Sequence, residues 1–321
     1  MGLGIKTGLR TLIGGREPAS QSRSVPESTG HELGVTPPPV GEAAANTARL
    51  IRSPGSPRGP AIMIHGLTAR TGTNYIWYLL QLHPDVVGCT QSREFFFLQR
   101  SRDVLALQKR YDDTDKAIKS PFQAPGDVLA LTGASTLAYL HSFAEPGKRL
   151  LLKVPNVRYV HYFPTAFANE KLLVLMRDGR DVVSSYRESW PHIPFHVVCS
   201  DWADAARTAL DFQATVGKSF GSQVVRYEDA VADPDAFVRN VCGPLSLDVS
   251  QYPFEKIKEV PVLGSSEVKT GDKWKWEVAQ KPKDFSPVGR WKKWSEEDKA
   301  TFKRIAGDSL VTAGYETGDG W

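Results

Sequence analysis

Ala61-Ile62-Met63-Ile64-His65-Gly66-Leu67-Thr68-Ala69-Arg70-Thr71-Gly72-Thr73-Asn74-Tyr75-Ile76-Trp77-Tyr78-Leu79-Leu80-Gln81-Leu82-His83 is the stretch on which the fold turns. Ala61 to Ile64 is a short apolar run of the kind that forms a fully buried strand. Tyr75, Ile76, Leu79, Leu80 and Leu82 make an apolar stripe at helical spacing. Between them lie Gly66, Arg70, Thr71, Gly72 and Thr73. A strand, a glycine-bearing loop and a helix N-terminus cradle an anion, because the loop N–H groups and the helix dipole converge on it. An ordinary turn between strand and helix uses the same residues, so this reading needs support from the rest of the chain.

Outward from this stretch, a second buried strand is expected at Arg149–Val154, ended by Pro155, and further strands at Lys171–Met176 and Gln223–Tyr227. Helices are expected over 99–119, 127–143, a short segment after Asn156, 182–188 with Asp181 as cap, 201–219 and 234–245. A last helix follows Ser295-Glu296-Glu297-Asp298, which resembles a capping box, and ends at Gly314. Residues 250–293 read as loop-rich and basic. Strands alternating with helices predict an α/β fold, with helical layers around a central parallel sheet.

The chain has 321 residues, of which 41% are hydrophobic and 24% charged, enough for a large core. A net charge of +4 suits an anionic ligand. That modest value, without a basic aromatic sheet motif, argues against nucleic acid as a partner. Cys89, Cys199 and Cys242 are scattered and lack CxxC spacing, which argues against a disulfide framework or zinc site and for a reducing compartment. No run approaches the ~20 apolar residues of a membrane span. Residues 1–15 combine Leu3, Ile5, Leu9, Leu12 and Ile13 with Lys6 and Arg10. They read as a floppy start, with a weak peripheral membrane contact or part of a transit peptide as alternatives. Residues 16–59 are rich in Pro, Ser, Gly, Glu and Arg and bury too little apolar surface to offset their ordering entropy. The expected division is a disordered tail over 1–59 and one globular domain over 60–321, in the cytoplasm.

Ligands of open α/β sheets bind beyond the carboxyl ends of the strands. The 66–74 loop, Lys153, Arg177 and Tyr227 all emerge there in this reading. Cations leaving separate strands at one edge form a polyanion site, since each charge-assisted contact to phosphate is strong. With a helix starting near Asp181, Ser185 lies about one turn in and faces back toward Arg177. A guanidinium and a hydroxyl so placed make a clamp for a second phosphate; a surface ion pair of Arg177 with Asp178 or Asp181 is the plainer alternative. A kinase-like phosphotransferase shares the architecture, but Gly66 to Thr73 lacks the Gly-Lys-Ser/Thr of a Walker A loop. A non-catalytic nucleotide- or glycan-binding module is the remaining rival.

Ala-Arg-Thr-Gly-Thr-Asn at 69–74, Leu-Met-Arg-Asp-Gly-Arg-Asp-Val-Val-Ser-Ser at 175–185, Arg-Tyr-Glu-Asp at 226–229 and Gly-Arg-Trp at 289–291 resemble motifs of the sulfotransferases that use 3′-phosphoadenosine-5′-phosphosulfate (PAPS). The resemblance runs from residue 60 to 316 and implies the P-loop-like, three-layer fold of that family. It also implies that Arg70, Thr71, Gly72, Thr73 and Asn74 hold the 5′-phosphosulfate, and that Arg177 and Ser185 hold the 3′-phosphate. Tyr227, Lys281 and Arg290 are implied as further nucleotide contacts, PAP as the product, and no metal. Arg70, where the cytosolic small-molecule branch has lysine, is similar to the tyrosylprotein-type and bacterial members. Glu94 in Glu-Phe-Phe-Phe resembles the base of the glycan enzymes, and Lys153 in Lys-Val-Pro-Asn a lysine that stabilises the bridging oxygen.

The chemistry suits these residue types independently. Sulfuryl transfer needs in-line placement and charge stabilisation more than covalent help. Arg70, Lys153 and the loop N–H groups would stabilise the charge growing on the leaving 5′-phosphate. A carboxylate that takes the acceptor proton typically contributes ~10²–10⁴-fold. Phe95, Phe96 and Phe97 are expected to desolvate Glu94 and raise its pKa. His65 reads as a packed strand residue, and His192 or His196 as the second choice of base. The acceptor is left open among small-molecule, glycan, lipid and peptide hydroxyls, and so is the oligomeric state.

Overall fold

The first apolar run forms a strand, β1 (Ile62–Gly66), buried at every position. The computed structural model describes residues 31–52, 59–92, 94–113, 119–260, 263–270, 273–280, 285–318 and 320–321. Four more strands flank β1: β2 (Val86–Gly88), β3 (Arg149–Val154), β4 (Lys171–Met176) and β5 (Gln223–Arg226). They form one parallel sheet in the order β2-β3-β1-β4-β5. The register sets His65 beside Val154 and Val174, and Met176 beside Arg226, so four strands end nearly level. Because β1 has β3 on one side and β4 on the other, the connections diverge above it. This is the switch point at which open α/β sheets bind ligands.

The helices are α1 (Glu42–Arg52), α2 (Thr73–Gln81), α3 (Ser101–Asp113), α4 (Asp127–His141), α5 (Phe163–Ala166), α6 (Gly179–Ser189), α7 (Phe195–Phe212), α8 (Lys218–Phe220), α9 (Tyr227–Ala232), α10 (Pro234–Cys242) and α11 (Glu296–Thr312). Period-two alternation sorts each strand between two cores. Ile62, Ile64, Leu151, Leu173 and Leu175 pack with Leu79 and Leu80 of α2 and Phe237 and Val238 of α10. Met63, Leu150, Leu152, Leu172, Val174 and Met176 pack on the other face with Leu129, Phe163, Trp202 and Phe302. The result is the expected three-layer α/β fold around a parallel sheet.

Several local expectations are corrected. Residues 31–52, placed in the disordered tail by composition, are ordered: the Gly41 N–H donates to Asp127 Oδ1 at 2.7 Å and Arg52 Nε to Glu170 Oε1 at 2.7 Å. Only Ala44 of α1 is buried, so polar anchors do most of the fixing, which a count of apolar residues cannot register. Residues 1–30 lie outside the described residues, and with them the membrane-contact reading of 1–15. Among the described residues no helix is long and apolar enough to cross a membrane. Strand β2 was missed because three residues carry too little pattern. The expected loop 250–293 contains an antiparallel pair, β6 (Leu263–Thr270) and β7 (Lys273–Gln280).

The cap of α6 is Asp178, whose carboxylate accepts from the Arg180 N–H at 2.9 Å. Asp181 is instead an anchor, accepting from the Gly289 N–H at 2.8 Å and the Arg290 N–H at 2.7 Å. It therefore pins the Gly-Arg-Trp segment onto α6. Ser295 does cap α11, accepting from the Asp298 N–H at 3.1 Å.

Candidate active site

Above the carboxyl ends of β1, β3 and β4 lies a cavity of about 880 Å³. Its floor is the loop between β1 and α2. Leu67 N–H donates to Leu175 O at 3.1 Å, which carries the loop over the top of β4. Thr71 Oγ1 donates to Thr68 O at 2.7 Å and accepts from the Thr68 N–H at 3.2 Å. The Thr71 side chain, expected to hold the ligand, is thus spent on the loop and fully buried. Arg70, Gly72, Thr73 and Asn74 do line the cavity. In the first turn of α2 the Tyr75 N–H donates back to Gly72 O at 3.0 Å. The N–H groups of Thr73 and Asn74 precede any helical acceptor and carry the positive end of the helix dipole.

Two residues of this loop have left-handed backbones, Arg70 at φ 68 and Gly72 at φ 102. At Gly72 a β-carbon would lie 2.3 Å from the Tyr227 ring. The glycine therefore lets the tyrosine at the start of α9 close against the cradle. Gly72→Ala is expected to cost about 1–3 kcal/mol through its strained backbone and ring clash. Chemical denaturation measures this; an unchanged midpoint would mean that the ring simply moves aside.

Three guanidinium groups crowd one end. Arg70 Nε donates to Ser185 Oγ at 2.9 Å. Arg177, delivered by β4, donates from Nη1 to Arg70 O at 2.7 Å and from Nη2 to Pro287 O at 2.5 Å. Its Nε is buried with no acceptor, and its cation lies 4.7 Å from the Tyr227 ring centroid. Arg290 pairs with Glu188 and borders the same end. Burial, then the charges of Arg177 and Arg290, pull the Arg70 guanidinium down from 12.5 to about 10. Arg177 and Ser185 are brought together as expected, but through Arg70 rather than by direct contact. Lys281 lies outside the described residues.

Glu94 reaches the cavity along an edge that β2 creates. Cys89 N–H donates to Leu151 O at 3.0 Å and Phe95 N–H to Lys153 O at 2.9 Å, so Cys89 and Phe95 are both tied to β3. Lys153 Nζ then lies 3.3 Å from Glu94 Oε1. The aromatic run alternates. Phe95 and Phe97 turn inward onto Phe167, at 5.9 and 5.1 Å between centroids, while Phe96 is exposed and lines the cavity. Glu94 keeps 34% of its side-chain surface open, so these rings do not enclose it as expected.

In the Arg-Tyr-Glu-Asp and Gly-Arg-Trp motifs, Glu228 and Trp291 are structural. Glu228 accepts from the Asp178 N–H at 2.9 Å, and from the Tyr315 hydroxyl at 3.2 Å. Trp291 stacks on Arg180 at 3.9 Å. His192 and His196 are exposed and neither lines the cavity. His65 is packed, its Nδ1–H donating to Asn156 O at 3.0 Å, and burial pulls its pKa from 6.5 to about 4. Between those values the unfolded chain binds the proton and the folded one does not, so this group removes stability as pH falls. The loss by pH 5 is about 2 kcal/mol. Denaturation at pH 7 and pH 5 should show that loss shrink in His65→Phe; an equal loss in both proteins would contradict it.

Three lining residues escaped sequence reasoning: His31, Arg158 and Asp201. They come from distant segments and belong to no local motif. Among the described residues no cluster of His, Cys, Asp and Glu is arranged for a metal ion.

A family model for the sulfotransferase family matches residues 60–251. The chain belongs to that family. Its structure is similar to several solved sulfotransferases at low identity. The enzyme from Alicyclobacillus acidocaldarius is 12% identical, with 80% of this chain and 94% of that one covered at a TM-score of 0.47. A mouse sulfotransferase solved with PAP is 12% identical, covering 81% and 87% at 0.46. Retinol dehydratase, in complex with androsterone and PAP, is 13% identical, covering 83% and 85% at 0.39. No curated protein matches the chain.

Proposed function

We propose that this sulfotransferase moves a sulfuryl group from PAPS to a hydroxyl acceptor within the domain over 60–321. The observation that carries the reading is the crowding of Arg70, Arg177 and Arg290. Burial first, and the neighbouring cations second, lower the proton affinity of Arg70 and Arg290. Such an arrangement costs folding energy unless an anion of matching charge occupies it, and the orphaned Arg177 Nε offers it one more donor.

In this reading Arg70 and the N–H groups of Gly72, Thr73 and Asn74 hold the 5′-phosphosulfate. Arg177, Ser185 and Arg290 take the 3′-phosphate, with Tyr227 and Lys281 against the nucleotide. Glu94 takes the proton of the acceptor hydroxyl as its oxygen bonds to sulfur. The bond from sulfur to the 5′-phosphate oxygen breaks, and its electron pair stays on the phosphate. Arg70 and Lys153 neutralise that charge, the larger share of such a transition state's stabilisation.

The test is transfer of labelled sulfate from PAPS onto a mixed panel of hydroxyl acceptors in EDTA. Metal-independent labelling is expected. No labelling, together with EDTA-sensitive turnover of ATP, would overturn the reading in favour of a phosphotransferase.

A further inference from the structure

Beside the arginine cluster, the cavity lining includes three polar side chains drawn together from distant segments. Arg158, in the turn after β3, donates from Nη2 to Asp201 Oδ1 at 2.6 Å and from Nε to His31 Nε2 at 3.0 Å. With Nε2 accepting, the His31 ring carries its hydrogen on Nδ1 and donates to Thr208 Oγ1 at 3.1 Å. The Thr208 hydroxyl passes its own hydrogen to Asp204 O at 2.8 Å. Both ring nitrogens are engaged, so His31 positions Arg158 and is no base. Arg158 Nη1 and Asp201 Oδ2 take no part in these bonds, and the two side chains are 38% and 31% exposed.

Tyr186 links this cluster to the transfer site. Burial pushes its hydroxyl up to about 12; Asp201 adds to that shift, while Arg70 and Arg158 oppose it. Tyr186 follows Ser185 in α6 and lines the same cavity as Arg70, Arg158 and Asp201. Tyr186 and Trp190, 4.9 Å apart, and the exposed Phe96 supply aromatic faces along the same cavity.

A guanidinium N–H beside a carboxylate oxygen matches a hydroxyl, which both accepts and donates. An anionic acceptor would face Asp201. A phenol or sterol would cover the ion pair without replacing its hydrogen bonds to water, a heavy penalty. Sugar rings meet both needs, with hydroxyls at the edge and an apolar face for the aromatics.

We infer that Arg158 and Asp201, positioned by His31, form the acceptor-recognition end of the cavity, and that the acceptor is a neutral polyhydroxy compound of the glycoside class. The inference rests on the sulfuryl-transfer reading above. His31 precedes the residues matched by the family model, so this wall is completed by the chain's own N-terminal segment.

The experiment offers labelled PAPS and either neutral methyl glycosides and disaccharides or naphthol and a sterol, after PAP binding has been established by calorimetry. The glycosides are expected to be labelled. Asp201→Asn and Arg158→Lys should each raise the acceptor KM by about ten- to a hundredfold, with PAP affinity and saturated kcat held within about twofold. Preferential labelling of naphthol or the sterol, or an unchanged KM in both folded variants, would overturn the inference. If Asp201→Asn loses PAP binding through misfolding, Arg158→Lys decides by the same criterion. Failure of the native protein to bind PAP removes the transfer reading and this inference together. PAP binding without glycoside labelling removes only this one.

Discussion

Glu94→Gln is expected to lower sulfuryl transfer by about 10²–10⁴-fold while leaving PAP affinity unchanged. The amide keeps the shape of the carboxylate and can still accept from Lys153, so the cavity should hold its form. It cannot take a proton at neutral pH. The acceptor hydroxyl would then have to lose its proton to water, in a site whose other charged groups are mainly cations. The loss should appear in kcat and kcat/KM equally, the signature of an interaction made only in the transition state. Steady-state kinetics and a PAP titration on the same preparation measure both halves. Transfer at the native rate would remove Glu94 as base. A fall in PAP affinity would instead assign it a role in holding Lys153, which it contacts at 3.3 Å.

Arg70→Met should weaken PAP binding by about a hundredfold while leaving the unliganded protein as stable as the native one, or more so. Arg70 sits where three terms meet. It is partly buried at the cavity floor, it is repelled by Arg177 and Arg290, and it donates to the neutral Ser185 Oγ. Without an anion these terms oppose folding; with a doubly phosphorylated nucleotide they become attraction. Methionine keeps the length and removes the charge. Calorimetry and a thermal melt without nucleotide should therefore move in different directions. A lower melting temperature with unchanged PAP affinity would make Arg70 a structural residue, fixed by its contacts to Ser185 and Trp190.

The parts of this protein legible in the sequence are those written in consecutive residues. The strand, loop and helix of residues 61–83 announce themselves through an apolar run, glycines and a helical stripe. The strands at 149–154 and 171–176 are read from their apolar runs, and their ends place Lys153 and Arg177 on the same edge. What escaped is what depends on tertiary context. Helix α1 is held by Asp127 and Glu170, far along the chain. Asp181 looked like a cap because it precedes an apolar run, yet the helix begins earlier and frees its carboxylate for Gly289 and Arg290. Thr71 is implied as a ligand contact by the family resemblance, and here its hydroxyl closes the loop on Thr68. The meeting of His31, Arg158 and Asp201 joins positions about half the chain apart and leaves no local signal.

The division of labour in the cavity explains why the donor is easier to read than the acceptor. The donor end is built on strand ends and a helix N-terminus, elements whose positions follow from the sheet. The acceptor end is built from a turn, a long helix and a segment outside the family's matched region.

On the proposed function, the cavity takes a nucleotide bearing phosphates on both the 3′ and 5′ oxygens of its ribose. Calorimetric titration of the full chain with PAP, 5′-AMP and magnesium ATP tests it most directly. PAP should bind at least about a hundredfold more tightly than 5′-AMP, because loss of the 3′-phosphate strips charge-assisted contacts from Arg177, Ser185 and Arg290. Equal affinity for PAP and 5′-AMP, or preference for magnesium ATP, would contradict the account.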